Sequence, residues 1–215
     1  LVHKTDVTGE TEVPGASMQV TDPDGRVMDS WISDGTAHAV RNLSVGQTYI
    51  LTETAAPQGY VQAGSIEFTV TEDEENQSIS MANKQVFVSK HSVTGEEELP
   101  GAELTVTDSR GEVADQWIST GERHAVSGLR VGETYTLTEK NAPEGYVIAS
   151  SVEFTVEEDS AVQQVVMRDK QVFVSKRTVT GEAELPGAEL TVTDSSGNVV
   201  DRWVSADVPH AVNGL

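Results

Sequence analysis

The sequence repeats itself at an interval of 86 residues, and this repeat constrains the fold more than any other feature. The residues that recur in all three copies include Lys4, Lys90 and Lys176; Trp31, Trp117 and Trp203; and His38, His124 and His210. Those that recur in the first two copies include Glu53 and Glu139, and Tyr60 and Tyr146, and Asn83 corresponds to Asp169. A unit of this length is too long for a solenoid repeat and has the size of a small independent domain.

The repeat divides the chain into three ranges, which we name module 1 (1–85), module 2 (86–171) and the half-module (172–215). The half-module ends before its own Glu and acceptor positions. The stretch "MANKQVFVSK" joins modules 1 and 2 without a Gly/Ser-rich or Pro-rich linker, which predicts a stiff string of domains. We expect a piece of a longer protein and favour truncation as the origin of the half-module. The alternative is completion by a partner chain, which predicts covalent ladders on a denaturing gel.

Each module is expected to be all-β. Segments 16–20, 66–70, 102–106 and 152–156 alternate apolar and polar residues, and turn signals with Gly or Pro separate them at short intervals. No helical period of useful length occurs in the sequence. About seven short strands with this spacing predict a β-sandwich in each complete module.

The composition excludes several classes of function. The chain has 35 acidic and 14 basic residues, and its net charge of −21 repels phosphate backbones and anionic lipids, so nucleic-acid binding is not expected. Because there is no cysteine, disulfides and Cys-based metal sites are excluded. No segment is apolar and long enough to span a membrane, and the first ten residues lack the apolar core of a signal peptide.

Three polar residues fall on strand faces that are otherwise apolar. Side chains alternate along a strand, so Tyr49, Leu51 and Glu53 share one face. The same parity places Lys4 in the apolar row of the first strand and Asn83 in that of the last. Module 2 repeats the pattern with Lys90, Glu139 and Asp169. Each complete module therefore places one Lys, one Glu and one Asn or Asp at the inward end of an apolar row.

Each of these residues alone has an ordinary explanation, such as a strand end, a bend or a lysine whose amine reaches the surface. An isolated buried charge is costly and is normally paired or neutralised. Three such residues, kept in the second copy, favour a shared site in which the first and last strands are neighbours. The alternative is a buried, hydrogen-bonded ion network without covalent chemistry.

Two motifs occur together at the same separation in both complete modules. They are K-x-x-x-T-G-E-x-E-L/V-P-G-A and G-x-x-Y-x-L-T-E-x-x-A-P-x-G-Y. The sequence resembles, over modules 1 and 2 and the first half of a third, the Cna B-type (SpaA-like, prealbumin-like) domains of Gram-positive surface adhesins and pilins. The resemblance implies tandem immunoglobulin-like or prealbumin-like β-sandwich domains, two complete and one partial. It also implies a spontaneous isopeptide bond between a Lys of the first strand and an Asn or Asp of the last.

The resemblance assigns a role to each inward polar residue. By motif position, the cross-links are Lys4–Asn83 and Lys90–Asp169, the assisting residues are Glu53 and Glu139, and Lys176 is a donor without a partner. Burial lowers the pKa of a lysine and yields a nucleophilic neutral amine. Burial also raises the pKa of a glutamate, whose acid form can polarise the acceptor carbonyl and carry the proton to the leaving group. The product is a neutral amide, so the cost of burying charges disappears.

The remaining recurrent or charged features are expected to be structural. The Trp residues are predicted to pack in the core or between modules, and the His residues have no second His or Cys nearby that would favour a metal site. The stretch "TDPDG" (21–25) is interpreted as a hairpin turn, because Asp24 is not kept in the other copies. The acidic run 72–75 is predicted to be a solvated turn. No metal or cofactor is expected.

The expected function is structural. We expect stalk or shaft repeats of a cell-wall-anchored adhesin or pilus protein on the outer surface of a Gram-positive bacterium, with the anchor outside this sequence. Other repeats of the same protein are the expected partners. The alternative is an adhesive module that recognises a host matrix protein or a glycan of the host cell surface. Near-identical repeats argue against this alternative, and solid-phase binding to matrix proteins would test it. Bond formation acts once on its own chain, so no enzyme is expected.

Overall fold

The fold is built from strands alone. The computed structural model describes residues 1–72, 76–158 and 162–215, and every regular element within them is a β-strand. The all-β class predicted from the sequence alternation is confirmed. No helix in these ranges could cross a membrane. Of the acidic run predicted as a solvated turn, residues 73–75 lie outside the described residues.

Module 1 contains two sheets. Its strands are β1 (Val2–Asp6), β2 (Ser17–Thr21), β3 (Val27–Ile32), β4 (Thr48–Ala55), β5 (Ile66–Thr69) and β6 (Ile79–Asn83). Antiparallel pairing forms one sheet in the order β3-β2-β4-β5, and β1 pairs with β6 in parallel to form the other. In this second sheet Lys4 lies opposite Met81. The prediction that the first and last strands are neighbours is therefore confirmed.

Module 2 has the same architecture with longer first and last strands. Its strands are β7 (Gln85–Ser92), β8 (Glu103–Asp108), β9 (Val113–Ile118), β10 (His124–Ala125), β11 (Thr134–Asn141), β12 (Val152–Thr155) and β13 (Val162–Asp169). The larger sheet has the order β12-β11-β8-β9, and the other has the order β10-β7-β13. β7 and β13 pair in parallel over eight residues. One residue, Lys84, separates β6 from β7, so the last strand of module 1 leads directly into module 2.

Apolar rows from the two sheets form the core of each module. The buried residues of the module 1 core are Val2, Ala16, Met18, Val20, Tyr49, Leu51 and Met81. The larger core of module 2 contains the equivalent residues and also Val61 of module 1. These rows alternate with polar residues on the outer faces, as the period of two in the sequence predicts.

The stretch "TDPDG" forms the hairpin turn between β2 and β3. The Asp22 carboxylate accepts the backbone N–H of Asp24 at 3.1 Å and that of Arg26 at 2.8 Å. Gly25 has a φ of 83°, a conformation that favours glycine. The turn thus uses Asp22 to satisfy its own backbone, and the prediction of a hairpin turn is confirmed.

The half-module forms only part of a sandwich. Its strands are β14 (Phe173–Val174), β15 (Glu189–Thr193), β16 (Val199–Val204) and β17 (His210–Ala211), paired as β14-β17 and β15-β16. Leu190 and Val192 are only half-buried, whereas the equivalent Leu104 and Val106 of module 2 are fully buried. The inner face of β15 therefore lacks the cover that β7 and β13 give to β8 in module 2.

Candidate functional site

The three inward polar residues of module 1 meet in its interior. Lys4, Glu53 and Asn83 have exposed fractions of 2%, 0% and 1%. The Lys4 Nζ donates to the carbonyl of Met81 at 3.3 Å and lies 3.5 Å from Glu53 Oε1. Parity in the sequence placed these residues on inward faces. The parallel pairing of β1 with β6 puts Lys4 and Asn83 on neighbouring strands, and β4 of the other sheet supplies Glu53.

Burial controls the protonation of Lys4. Removal from water lowers the pKa of the Lys4 amine below its ordinary value, while the nearby Glu53 carboxylate acts in the opposite direction. Because the burial effect is the larger one, a neutral amine is more accessible here than at the surface. A neutral amine can act as a nucleophile, whereas an ammonium cannot.

Glu53 lies between the amine and Asn83. Its Oε2 accepts the backbone N–H of Ala63 at 2.6 Å, and both of its carboxylate oxygens lie 3.0 Å from Asn83 Nδ2. The same Nδ2 donates to the carbonyl of Val61 at 2.7 Å. The Asn83 Oδ1 is buried and has no hydrogen-bond partner among the described residues. The carboxamide is thus held by its nitrogen, which faces the glutamate.

Module 2 assembles the equivalent residues with the same burial. The Lys90 Nζ contacts Asp169 Oδ1 and lies 3.1 Å from Glu139 Oε1. Glu139 Oε2 accepts the backbone N–H of Ala149 at 2.7 Å, which matches the bond from Ala63 to Glu53. The second oxygen of Asp169, Oδ2, is buried without a hydrogen-bond partner in the described ranges.

The environment of Glu139 favours the protonated form of its carboxyl group. Burial raises its pKa above the usual range, against the hydrogen bond from Ala149 and the charge of Lys90. The nearby carboxylate of Asp169 acts in the same direction as burial. A carboxylic acid at this position can donate a proton to a group on the last strand.

Lys176 occupies the equivalent position in the half-module but is only half-buried. Its backbone N–H donates to Glu184 Oε2 at 2.9 Å. The sequence contains no residue at the positions that would correspond to Glu139 and Asp169. Within residues 172–215, Lys176 thus matches the donor position of the other two modules.

Sequence reasoning missed the role of another recurrent residue, the glutamate that precedes V/L-P-G. Glu12 accepts the backbone N–H of Lys4 at 3.0 Å, and Glu98 accepts that of Lys90 at 2.9 Å. Each glutamate fixes the backbone at the lysine from the neighbouring loop. The signal was present, because this residue also recurs at the 86-residue interval.

The recurrent Trp and His residues form one stacked cluster in each copy. The rings of Trp31 and His38 stack at 4.1 Å, and His38 Nε2 lies 3.0 Å from Asp29 Oδ2. The same arrangement occurs at Trp117–His124–Asp115 and at Trp203–His210–Asp201. In the described residues no group of three or more His, Asp or Glu side chains has a geometry that could hold a metal ion.

Comparison with known proteins covers most of the chain. A family model described as the SpaA prealbumin-like fold domain matches residues 1–85 and 84–171. None of the curated proteins compared with the chain matches it. The two matched ranges are the ones that carry a complete set of Lys, Glu and acceptor.

Solved structures similar to the chain have low identities. The Bacillus anthracis TIE protein is 22% identical with a TM-score of 0.33; the similarity covers 98% of this chain, which spans only 43% of that protein. Shaft pilin SpaA from Lactobacillus rhamnosus GG is 14% identical with a TM-score of 0.38, over 79% of this chain and 95% of that chain. A streptococcal ancillary pilin is 21% identical with a TM-score of 0.35, over 79% and 60%.

Proposed function

The chain belongs to the SpaA family of prealbumin-like domains, and from this premise we propose that modules 1 and 2 are load-bearing repeats of an extracellular stalk or pilus shaft. Each complete module is locked by an isopeptide bond that it forms itself, Lys4–Asn83 in module 1 and Lys90–Asp169 in module 2. Residues 172–215 are the first half of a third module of the same kind. Other repeats of the same protein are the proposed partners, and the proposed location is the wall-anchored surface of a Gram-positive bacterium.

One observation carries this proposal: both modules bury a lysine of the first strand and an acceptor of the last strand around one glutamate. Glu53 lies 3.5 Å from Lys4 Nζ and 3.0 Å from Asn83 Nδ2, and in module 2 Lys90 contacts both Glu139 and Asp169. Fully buried ion pairs are rarely retained for stability alone, because desolvation offsets much of their attraction. Conversion to an amide removes that cost. It also explains why the lysine and the acceptor lie on adjacent parallel strands.

In module 1 the reaction is a transamidation. The neutral Lys4 amine attacks Cγ of Asn83, a new C–N bond forms, and the bond from Cγ to Nδ2 breaks. One proton of the Lys4 amine passes through Glu53 to Nδ2, which leaves as ammonia. Because Nδ2 faces Glu53 at 3.0 Å, the geometry favours proton delivery to the leaving amine over polarisation of the carbonyl oxygen. Folding holds the amine close to the carboxamide, which has the same effect on the rate as a very high concentration of the two reactants.

In module 2 the reaction is a condensation. Lys90 and Asp169 form the same amide and release water instead of ammonia. Lys90 first passes one proton to the Asp169 carboxylate that it contacts, so that a neutral amine faces a carboxylic acid. The amine attacks Cγ of Asp169, and the acid form of Glu139, which its raised pKa favours, gives a second proton to the hydroxyl oxygen, which leaves as water when its bond to Cγ breaks. Glu139 recovers a proton from the attacking amine, so the two steps balance. Neither module turns over, since donor and acceptor are consumed.

The mechanical consequence follows from the positions of the two cross-links. Lys4 and Asn83 are 83 − 4 = 79 residues apart, as are Lys90 and Asp169. In the chain-entropy model, closing a loop of this size stabilises the folded state by about 4.5 kcal/mol. Tension applied along the chain passes from the first strand to the last through one covalent bond and bypasses the core. Such a module resists extension, as a stalk or shaft requires.

Single-molecule extension tests the proposed function. Pulled by its two ends, the wild-type chain is expected to extend only in the half-module and the connecting residues. The Glu53→Ala/Glu139→Ala chain should release about 260–280 Å of additional contour length for each module, at 3.3–3.6 Å per residue. A chain with exposed Glu67→Ala and Glu153→Ala serves as the control and should behave as wild type. Full unfolding of modules 1 and 2 in the wild type would contradict the proposal.

A further inference from the structure

Residues 59–63, which we name the strap, contact the reacting groups of module 1. The carbonyl of Val61 accepts Asn83 Nδ2 at 2.7 Å. The backbone N–H of Ala63 donates to Glu53 Oε2 at 2.6 Å. The strap therefore holds both the leaving amine and the carboxylate that faces it.

The same strap is bound to module 2. The backbone N–H of Gly59 donates to Ser127 Oγ at 2.9 Å, and that of Gln62 donates to the carbonyl of Leu129 at 2.9 Å. The Gln62 side chain turns back and donates to the backbone carbonyl of Glu53 at 2.6 Å. The backbone N–H groups of Gly59 and Gln62 thus bind module 2, whereas the carbonyl of Val61 and the N–H of Ala63 bind module 1.

The side chain of Val61 links the two modules through the core of module 2. It is fully buried and belongs to the core of module 2, where Val86, Val126 and Leu129 are also members. Its carbonyl, at the same time, holds Asn83 of module 1. A displacement of module 2 therefore moves the group that orients the acceptor of module 1.

We propose that module 2, once folded and docked, positions the reacting groups of module 1 and accelerates formation of the Lys4–Asn83 bond. This inference rests on the proposed function, and it makes the strap a positioning element rather than a catalytic one. Val61 holds the Asn83 nitrogen toward Glu53, and Ala63 fixes the carboxylate that transfers the proton. Cross-linking of module 1 then follows the folding of its neighbour.

The second joint provides an internal control. Gly145 donates to Asn213 Oδ1 at 2.5 Å, and the N–H of Ile148 lies 3.3 Å from the carbonyl of Leu215. The acceptor of module 2, however, is Asp169, whose carboxyl group has no N–H to donate to the strap. The contact from the strap to the acceptor is therefore specific to module 1.

The first experiment measures the rates of both cross-links in one chain. The full chain is made by cell-free synthesis and quenched with acid at intervals, and the linked peptides of each module are quantified by mass spectrometry. In Ser127→Ala, loss of one hydrogen bond should slow the module 1 bond roughly fivefold. The module 2 bond should keep its rate. Asn213→Ala, the matched change at the second joint, should leave the module 1 rate unchanged.

The ratio of the two rates separates positioning from general damage. If Ser127→Ala weakened module 2 as a whole, its own bond would slow as well, and the ratio would stay constant. An unchanged ratio in Ser127→Ala overturns the inference. If the rate of the module 1 bond divided by that of the module 2 bond falls in Ser127→Ala but not in Asn213→Ala, the inference is supported.

A second measurement does not depend on bond formation. In a Lys4→Met chain, hydrogen exchange reports how firmly the Ala63 N–H is held on Glu53. Adding Ser127→Ala should accelerate this exchange several-fold, whereas Asn213→Ala should not. If no bond forms in the wild type and exchange still accelerates, the proposed function fails and the coupling stands. If the exchange is unaffected, the coupling fails whether or not the bond forms.

Discussion

At the scale of single residues, burial determines the chemistry of the site. Lys4 loses solvation when β1 pairs with β6, and its pKa falls because this loss outweighs the attraction of Glu53. Glu139 responds in the opposite direction, since burial penalises its charged form. Both shifts favour the neutral states that amide formation requires. The same environment that makes the charges costly thus prepares them to react.

The lowered pKa of Lys4 predicts a pH dependence of stability when the bond is blocked. In an Asn83→Ala chain, the unfolded state binds a proton at Lys4 more readily than the folded state does. The free energy of unfolding of module 1 should therefore rise with pH between the lowered pKa and the ordinary lysine value. Urea unfolding at several pH values measures this slope. The control Lys4→Met/Asn83→Ala should lack this rise in the free energy of unfolding. An equal dependence on pH in the two chains would refute the pKa shift.

The sequence allowed the residue types and their faces to be predicted, but not their contacts. Parity placed Lys4, Glu53 and Asn83 inward, because the period of a strand is fixed by its geometry. It gave no orientation for the carboxamide of Asn83, which depends on the carbonyl of Val61 in a distant loop. The role of Glu12 was missed for the same reason, since its partner is a backbone N–H.

At the scale of elements, the glycine-containing turns fix how the strands meet. Gly128 has a φ of 72°, and the Cβ of any other residue at this position would lie 2.8 Å from the backbone oxygen of Ala114. The equivalent residue of module 1 is Asn42, which has a φ of 62°. Alternating apolar patterns predicted the strands themselves. The close approach of this turn to β9 was not predictable, because it depends on tertiary packing.

A pair of substitutions separates backbone conformation from close approach. Gly132 has a φ of 80°, and a Cβ at this position would have no heavy atom within 4 Å. Gly132→Ala should therefore lower the free energy of unfolding by about 1–2 kcal/mol because of its φ alone. Gly128→Ala adds a steric contact and should cost at least about 1 kcal/mol more. Urea midpoints of module 2 measure both. Equal losses in the two variants would mean that Ala114 shifts freely.

At the scale of the whole molecule, protection against unfolding is unevenly distributed. Modules 1 and 2 each have two sheets and a buried core, whereas Leu190 and Val192 of the half-module are partly exposed. The repeat in the sequence predicts a division at the same positions. The shared strap was not predicted, since Val61 belongs to module 1 by sequence and to the core of module 2 by packing.

Limited proteolysis should reveal this difference. Trypsin is expected to cut first after Arg177 and Arg202, which are exposed in the half-module, and to leave a resistant product that contains modules 1 and 2. Exposed Arg110, in a turn of module 2 held by Asp108 and Glu112, provides the comparison within the same chain. Early cleavage at Arg110 with an intact half-module would contradict the expected order.

The mass of the intact chain is the most direct test of the central claim, that both complete modules form an amide between their first and last strands. The wild-type chain should be lighter than its sequence predicts by one ammonia and one water. Glu53→Ala should restore the ammonia alone, Glu139→Ala the water alone, and the double variant the full mass of its own sequence. A wild-type chain with the full calculated mass would mean that the buried residues form an ion network only.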